Sequence, residues 1–233
     1  MATMGEMIGN IAHQWKQPLN LISMSNGLLK INQDVKDFSP KEDIEEAIDN
    51  IDVSVKHLST TIDDFRNFFK PDKEKKDYSL KTVFEKTLKL ISSQFKNNNI
   101  EIIKNIEDTK LHGYPNEFLQ VLINIIKNAK DELVKLEKDR LLFIYTFKEN
   151  DNIIIKIKDN AGGIPENIID KIFEPYFTTK SEDEGTGIGL YMSKQIIEGM
   201  NGKLSVVNCE YDFKGIKYKG AEFILKLRLK ERD

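Results

Sequence analysis

Two asparagines one helical turn apart, Asn124 and Asn128, stand in the run Gln120-Val121-Leu122-Ile123-Asn124-Ile125-Ile126-Lys127-Asn128-Ala129. Residues four apart share one face of a helix, and amides among Leu and Ile are costly to bury without a polar partner. Helix capping or a solvated face explains such a pair poorly when its flanks are this apolar. Hard Mg²⁺ takes oxygen ligands and keeps several waters, so one amide carbonyl together with phosphate oxygens is a workable site. Further on, Asp159-Asn160-Ala161-Gly162-Gly163-Ile164-Pro165 follows a strand-like run. Glycines let a backbone approach a flat ring closely, and a buried carboxylate can accept from an exocyclic amine. An ordinary Asp/Asn-Gly turn explains the bare pattern equally well. The string Ile172-Phe173-Glu174-Pro175-Tyr176-Phe177-Thr178-Thr179-Lys180 adds aromatics, hydroxyls and a cation. Last, Gly185-Thr186-Gly187-Ile188-Gly189-Leu190 sets alternate glycines at the opening of a helix, where backbone N–H groups favour phosphate. Such a glycine triplet is weak evidence by itself, and it is not a Walker loop, because no Gly-Lys-Ser/Thr follows.

The histidines divide by their place on the helices. Met4, Ile8, Ile11, Trp15, Pro18, Ile22, Ser25 and Leu29 step by fours and threes, and His13 falls two residues past the seam position Ile11. That is the f position, farthest from a bundle core and open to a bulky reactant. A solvated surface histidine is the plain reading of such a place. Pro18, inside the same pattern, removes its own N–H and leaves the Gln14 carbonyl without its partner. A bent helix beside an exposed histidine is a costly feature for which a mere coiled coil has no use. His57 lies two places after Val55, away from the second seam, and reads as solvated. His112, in a Leu111-His112-Gly113 turn, reads as structural.

The elements that must position these groups begin with two long helices. The second seam, Ile44, Ile48, Ile51, Val55, Leu58, Ile62, Phe65 and Phe69, keeps the same alternation. Between the helices Asp37-Phe38-Ser39-Pro40 supplies a cap at Ser39 and a first helical residue at Pro40. So short a loop makes the helices antiparallel neighbours. One hairpin buries only one side of each stripe, so a partner hairpin is expected and the natural solution is a dimeric four-helix bundle. The polar run Pro71 to Asp77 reads as a linker. The expected division is therefore 1–70 helical, 71–77 linker and 78–233 a second domain. In that domain Leu80–Lys96, Glu117–Leu136 and Gly185–Met200 read as helices. Ile100–Lys104, Leu141–Lys148, Asn152–Lys158, Lys203–Val207 and Ala221–Arg228 read as strands, the second and third forming a hairpin through Glu149-Asn150-Asp151. The fold class is α+β: a helical hairpin followed by an α/β sandwich with a mixed sheet and helices on one face.

Composition narrows the function classes. The chain has 233 residues, 39% hydrophobic and 31% charged, as befits one or two globular domains. Thirty-five basic residues against 38 acidic ones leave a net charge of −3, which gives nucleic acid or anionic lipid no long-range attraction. The single cysteine, Cys209, excludes an internal disulfide framework and a thiolate zinc site and suits a reducing cytosol. No apolar run approaches the ~20 residues that span a bilayer, so no membrane contact is expected of this segment.

The string His13-Gln14-Trp15-Lys16-Gln17-Pro18-Leu19 resembles the H-box of dimeric sensor histidine kinases. Taken jointly, the four clusters of the second half resemble the N, G1, F and G2 boxes of the ATP-binding domain of those kinases, within the wider family that includes gyrase and heat-shock chaperone ATPases. The likeness runs from about Met4 to Arg228. It implies that His13 takes the γ-phosphoryl group of ATP. Gln14 stands where the family usually has an acid; its carbonyl can fix the imidazole tautomer but supplies no charge. Lys16 matches the usual basic position, and Gln17 sits where Thr or Asn often supports dephosphorylation of the partner. By the same likeness Asn128 binds Mg²⁺ with Asn124 beside it, and Asp159 accepts from the adenine amine. Ala161, Gly163 and Ile164 share that loop, Ala161 in place of the usual first glycine. Phe173 and Phe177 come to the nucleotide, and Thr178, Thr179 and Lys180 with Gly185, Thr186, Gly187, Ile188, Gly189 and Leu190 line a lid over its phosphates. Asp131 stands where a lysine often follows the magnesium asparagine, which shifts phosphate neutralisation toward Lys180 or Lys127.

The resemblance implies a histidine kinase core that dimerises through its helical hairpin, uses ATP and Mg²⁺, and passes phosphate to an aspartate of a response-regulator receiver domain. It implies a cytoplasmic location, whether alone or as the cytosolic part of a larger sensor. Two other classes compete. An ATP-driven machine of the gyrase or chaperone type would carry a water-activating glutamate one turn before the magnesium asparagine, where this chain has Asn124. A non-catalytic dimeric scaffold that binds nucleotide would tolerate Gln14 in place of an acid.

Overall fold

Pro40 stands one residue ahead of its helix instead of in the first helical position expected of it. Its carbonyl accepts from the N–H groups of Asp43 (3.1 Å) and Ile44 (3.4 Å), and Glu42 and Asp43 put negative charge in the first turn of α2 (Lys41–Phe68), where the helix dipole favours it. The computed structural model describes residues 18–32, 40–68, 74–180 and 186–229. Residues 18–32 are helical and form the described part of α1. His13, Gln14, Gln17, Gly185, Ser39 and the linker from Pro71 to Lys73 lie outside the described residues, as do the seam positions Met4 to Trp15 and Phe69. The described residues fall into two compact units. One holds α1 and α2 with the described part of Thr178–Thr186; the other holds the described parts of Lys70–Phe177 and Gly187–Asp233.

In the helical unit the second seam is only partly covered over its described side chains, Ile44 to Leu58. Ala47 and Ser54 are buried and Ile44, Ile51 and Leu58 partly so, a stripe in steps of three and four. Ile48 and Val55, which the sequence places in that same seam, are 46% and 52% exposed. On α1 Ser25 is buried, while Leu19, Leu21, Met24 and Ile31 stand in solvent. A single chain thus leaves an apolar edge on each helix.

The second unit is built on a five-stranded sheet. In chain order come β1 (Lys76–Ser79), α3 (Leu80–Asn97), β2 (Ile100–Asn105), β3 (Lys110–Gly113), α4 (Pro115–Leu133), β4 (Arg140–Glu149), β5 (Asn152–Asp159), α5 (Gly189–Gly199), β6 (Lys203–Phe213) and β7 (Ile216–Arg228). The sheet runs β2-β4-β5-β7-β6, with β2 parallel to β4 and every other pair antiparallel, the mixed sheet expected. The register sets Leu142 opposite Asp159, Ile144 opposite Ile157 and Ile155 opposite Leu225, so these share one face. They are buried, as are Phe118, Leu122, Ile125 and Ile126 of α4 and Ile196 and Ile197 of α5. The opposite face shows Phe147, Val207 and Ile216 to solvent.

Several boundaries depart from the sequence reading. The linker run ends in structure: Lys76 and Asp77 open β1, which pairs antiparallel with β3. His112 lies in that strand rather than in a turn, opposite Asp77, with Nδ1 2.7 Å from the carboxylate. Four-residue strands in a charged context carry too little alternation to stand out. The helix expected from Gly185 begins at Gly189, because Gly187 holds a left-handed φ of 64°. Finally β6 and β7 run on past Val207 and ahead of Ala221 to a tight turn at Lys214-Gly215, both with positive φ. The polar residues Asn208, Glu210, Asp212, Lys217 and Lys219 hide that extension from an apolar pattern.

Candidate functional site

Tertiary packing brings the asparagine helix to the glycine helix. On α4 the residues Phe118, Val121, Leu122, Ile125, Ile126, Ala129 and Leu133 take the buried face, which leaves Asn124 and Asn128 together on its flank, half-buried. Asn124 Nδ2 donates to the Gly189 carbonyl (3.3 Å) and to Ser193 Oγ (3.4 Å), and Ser193 Oγ donates back to the Gly189 carbonyl (2.8 Å). A Cβ at Gly189 would lie 3.6 Å from Asn124 Cγ, an ordinary van der Waals contact, so the two helices approach closely here without demanding glycine. Because the amide nitrogen of Asn124 is committed to α5, what this side chain can offer a cation is its oxygen. Asn128, one turn on, and Asp131, 3.3 Å from the Lys130 ammonium, stand on the same helix. Gly189 and Leu190 lie in the first turn of α5, and the residue ahead of it, Ile188, has no side chain able to cap the N-terminal N–H groups. Uncapped N–H groups with the positive end of a helix dipole are a receptive place for phosphate.

Asp159 ends β5 at 5% exposure. Its Oδ1 accepts from the N–H of Ala161 (2.9 Å) and from the N–H of Ala221 on β7 (3.2 Å), which fixes the carboxylate's orientation. Burial pushes its carboxyl pKa up, the two backbone N–H groups pull it back down, and the nearby charge of Glu132 adds to the rise. Asn160 ties the loop to the start of β4: its Oδ1 accepts from the Leu141 N–H (2.8 Å), and its Nδ2 donates to the Asp139 carbonyl. After Ala161, Gly162 N–H donates to the Lys219 carbonyl (2.9 Å). Ile164 is held at both backbone groups by Asn208 of β6.

The third cluster divides. Ile172 is buried, and Phe173 sets its ring edge-on to core Phe223 at 6.4 Å, with the Lys194 ammonium 5.7 Å from the ring centre. The backbone N–H of Tyr176, at φ 68°, donates to the Gly187 carbonyl (3.0 Å), so Phe177 begins where its neighbour is joined to the glycine segment. Ile188 follows, and its carbonyl accepts from Met192 N–H (2.9 Å). Thr179, Lys180 and Thr186 fall to the other unit, where the Lys180 N–H donates to Thr178 Oγ1 (3.1 Å). Sequence reasoning passed over Asn208, Ala221 and Ser193, and it took Tyr176 only as one aromatic of its string.

Among the described residues no cluster of His, Cys, Asp or Glu could hold a metal ion, and no helix is long and apolar enough to cross a membrane. The description "Histidine kinase-, DNA gyrase B-, and HSP90-like ATPase" matches residues 113–231, and "His Kinase A (phospho-acceptor) domain" matches residues 3–74. The chain is similar to the two-component sensor PprA of Pseudomonas aeruginosa, 28% identical over 98% of this chain and 25% of that protein. It is also similar to the signal transduction histidine-protein kinase AtoS of Escherichia coli, 29% identical over 89% of this chain and 33% of AtoS. The chain thus spans a quarter to a third of these relatives' length. Among solved structures, histidine kinase ThkA in complex with response regulator protein TrrA shares the fold, with TM-score 0.65 and 21% identity over 99% of this chain and 64% of that one. With its buried carboxylate, its glycine helix and both matches in order along the sequence, the chain belongs to the histidine kinase-, gyrase- and HSP90-like ATPase family, whose domain binds ATP, and carries a region matching the histidine kinase phospho-acceptor domain ahead of it.

Proposed function

We propose that this chain is an ATP-dependent protein-histidine kinase that phosphorylates itself on His13 and passes the phosphoryl group to an aspartate of a response-regulator receiver domain. The observation that carries this reading is the order of the two matches, a phospho-acceptor domain over residues 3–74 and an ATPase domain over 113–231 in one chain. An ATPase of the gyrase or chaperone type has no need of the first.

The proposed division is 1–70 for dimerisation and phosphotransfer, 71–77 for the linker and 78–233 for ATP. Asp159 reads the adenine amine; Ala161, Gly163 and Ile164 shape its loop, with Phe173 and Phe177 beside it. Asn128, with Asn124 alongside, offers amide oxygen to Mg²⁺, which when bound neutralises phosphate charge. Asp131 at the end of that row adds a carboxylate. Thr179, Lys180, Gly185, Thr186, Gly187, Ile188, Gly189 and Leu190 form the phosphate side. In the transfer an imidazole nitrogen of His13 bonds to the γ-phosphorus as the bond to the β-phosphate oxygen breaks, ADP leaves and the imidazole gives up its proton. Gln14 orients the ring, and Gln17 supports dephosphorylation of the partner, in which water takes the phosphoryl group from the aspartate and inorganic phosphate leaves. The response regulator, of the kind held by ThkA in its complex, docks around His13 and the first helix. Dimerisation uses the partly covered seam of α1 and α2.

Incubation with γ-labelled ATP should leave acid-labile, base-stable label on the protein and one added phosphate by intact mass. His13→Ala should abolish that label, because the nitrogen that carries it is gone, while nucleotide binding persists. Labelling that survives the substitution would take His13 out of the mechanism, and free phosphate alone would favour an ATPase.

A further inference from the structure

We propose that Asn208 is a positioning residue for the nucleotide loop Ala161–Ile164, acting on base recognition rather than on the phosphates. The inference rests on the reading of Asp159 as the adenine acceptor. Asn208 lies on β6 directly opposite Ala221 of β7, the residue whose N–H donates to Asp159 Oδ1. Its side chain leaves the sheet and behaves as a piece of strand. Oδ1 accepts from the Ile164 N–H at 2.7 Å, and Nδ2 donates to the Ile164 carbonyl, also at 2.7 Å. A primary amide is the side-chain group that can serve a peptide's donor and acceptor together; a carboxylate lacks the donor and a serine lacks the reach.

The fit extends one residue back. Gly163 has φ 87°, and a Cβ there would lie 2.5 Å from Asn208 Oδ1, so the loop rests on the amide and needs glycine to do so. The near half of the loop is already fixed by Ala161 N–H on Asp159 Oδ1 and Gly162 N–H on the Lys219 carbonyl. Asn208 supplies the bonds at the far half. Without them Gly163 and Ile164 gain freedom next to a carboxylate whose direction must be kept for a flat base. Fixing that freedom again would then be charged to nucleotide binding, which weakens.

The test compares the full chain with Asn208→Ala and with Asn208→Asp, which keeps the shape and loses the donor. Equilibrium binding of ATP and of GTP is measured by calorimetry beside the thermal midpoint of each protein. Asn208→Ala should bind ATP about tenfold more weakly, for the pair of lost hydrogen bonds, and Asn208→Asp about threefold, because it keeps the acceptor for the Ile164 N–H and loses only the donor. Their preference for ATP over GTP should fall by a similar factor, while kcat at saturating ATP stays within about twofold of wild type. Wild-type affinity in Asn208→Ala, or equal weakening of ATP and GTP with the preference intact, would overturn the proposal. So would loss of the folded domain in both variants, which would make Asn208 a structural residue. Failure of the wild type to bind ATP would remove the proposed function itself, and this inference with it, before any variant is compared.

Discussion

Asp159 is buried against its own chemical interest. Removal from water disfavours the charged carboxylate, and Glu132 adds repulsion, so the folded protein holds its proton to higher pH than the unfolded chain does. Between the ordinary carboxylate range and that raised value the folded state therefore binds the extra proton. Stability falls as pH rises through this window and stays reduced above it. Asparagine at this place keeps an oxygen for the N–H groups of Ala161 and Ala221 and has no charge to bury. Asp159→Asn should therefore melt higher than wild type at pH 7–8, with the difference shrinking as the pH approaches about 4. The same variant should bind ATP ~10–100-fold more weakly, because a hydrogen bond to a charged acceptor is lost. Thermal melts across pH and calorimetric titration check both halves. A variant less stable than wild type at neutral pH would show that the charge is better tolerated than its burial suggests.

At the scale of elements, the join between Tyr176 and Gly187 sets where α5 can begin. Gly187 is at φ 64°, and a Cβ there would meet the Tyr176 carbonyl carbon at 2.3 Å, a contact that backbone cannot yield cheaply. Gly187→Ala should cost ~2–4 kcal/mol, from the strained φ and from forcing the two strands of chain apart. Denaturant melts should show that loss, together with weaker nucleotide binding through the displaced first turn of α5. A stability change under ~0.5 kcal/mol would mean that the join is soft. This junction also shows how far the sequence could be read. The glycines at 185, 187 and 189 announce a helix start and a phosphate site, but Gly187 itself bends the wrong way for a helix and delays the start to Gly189. Periodicity placed α3, α4 and the β4–β5 hairpin closely, because their apolar residues repeat on one face. It missed β1 and β3, whose four residues each are mostly polar, and the outer halves of β6 and β7, where Tyr211 and Tyr218 pair amid charges. Asp159 was legible from its glycine loop. Asn208 was not, because its role arises from a partner 44 residues away and from no local pattern.

For the molecule as a whole, the unfilled seam is the consequential feature. Met24 is 73% exposed, and Leu21 and Ile31 of α1 lie near its face with Ile48 and Val55 of α2 similarly open. Alternating steps of three and four on both helices are the pattern that packs a second pair of helices, and contiguous apolar edges of this kind mark association sites. A second hairpin would bury Ile48 and Val55 from each protomer, four side chains in all. Each is already about half covered in the single chain, so completing its burial is worth ~0.75 kcal/mol or more, about 3 kcal/mol for the four. Replacing both by glutamate removes that term and sets like charges against one another across the two-fold axis. I48E/V55E should therefore weaken dimerisation at least a thousandfold, the equivalent of ~4 kcal/mol. Light scattering at micromolar concentration should then return the monomer mass where the wild type returns the dimer. The ATP domain carries neither residue, so its nucleotide affinity should be unchanged in the same preparation. A variant that stays dimeric would place the interface elsewhere on the chain, and a wild type that is monomeric would leave the four-helix stem without its second half.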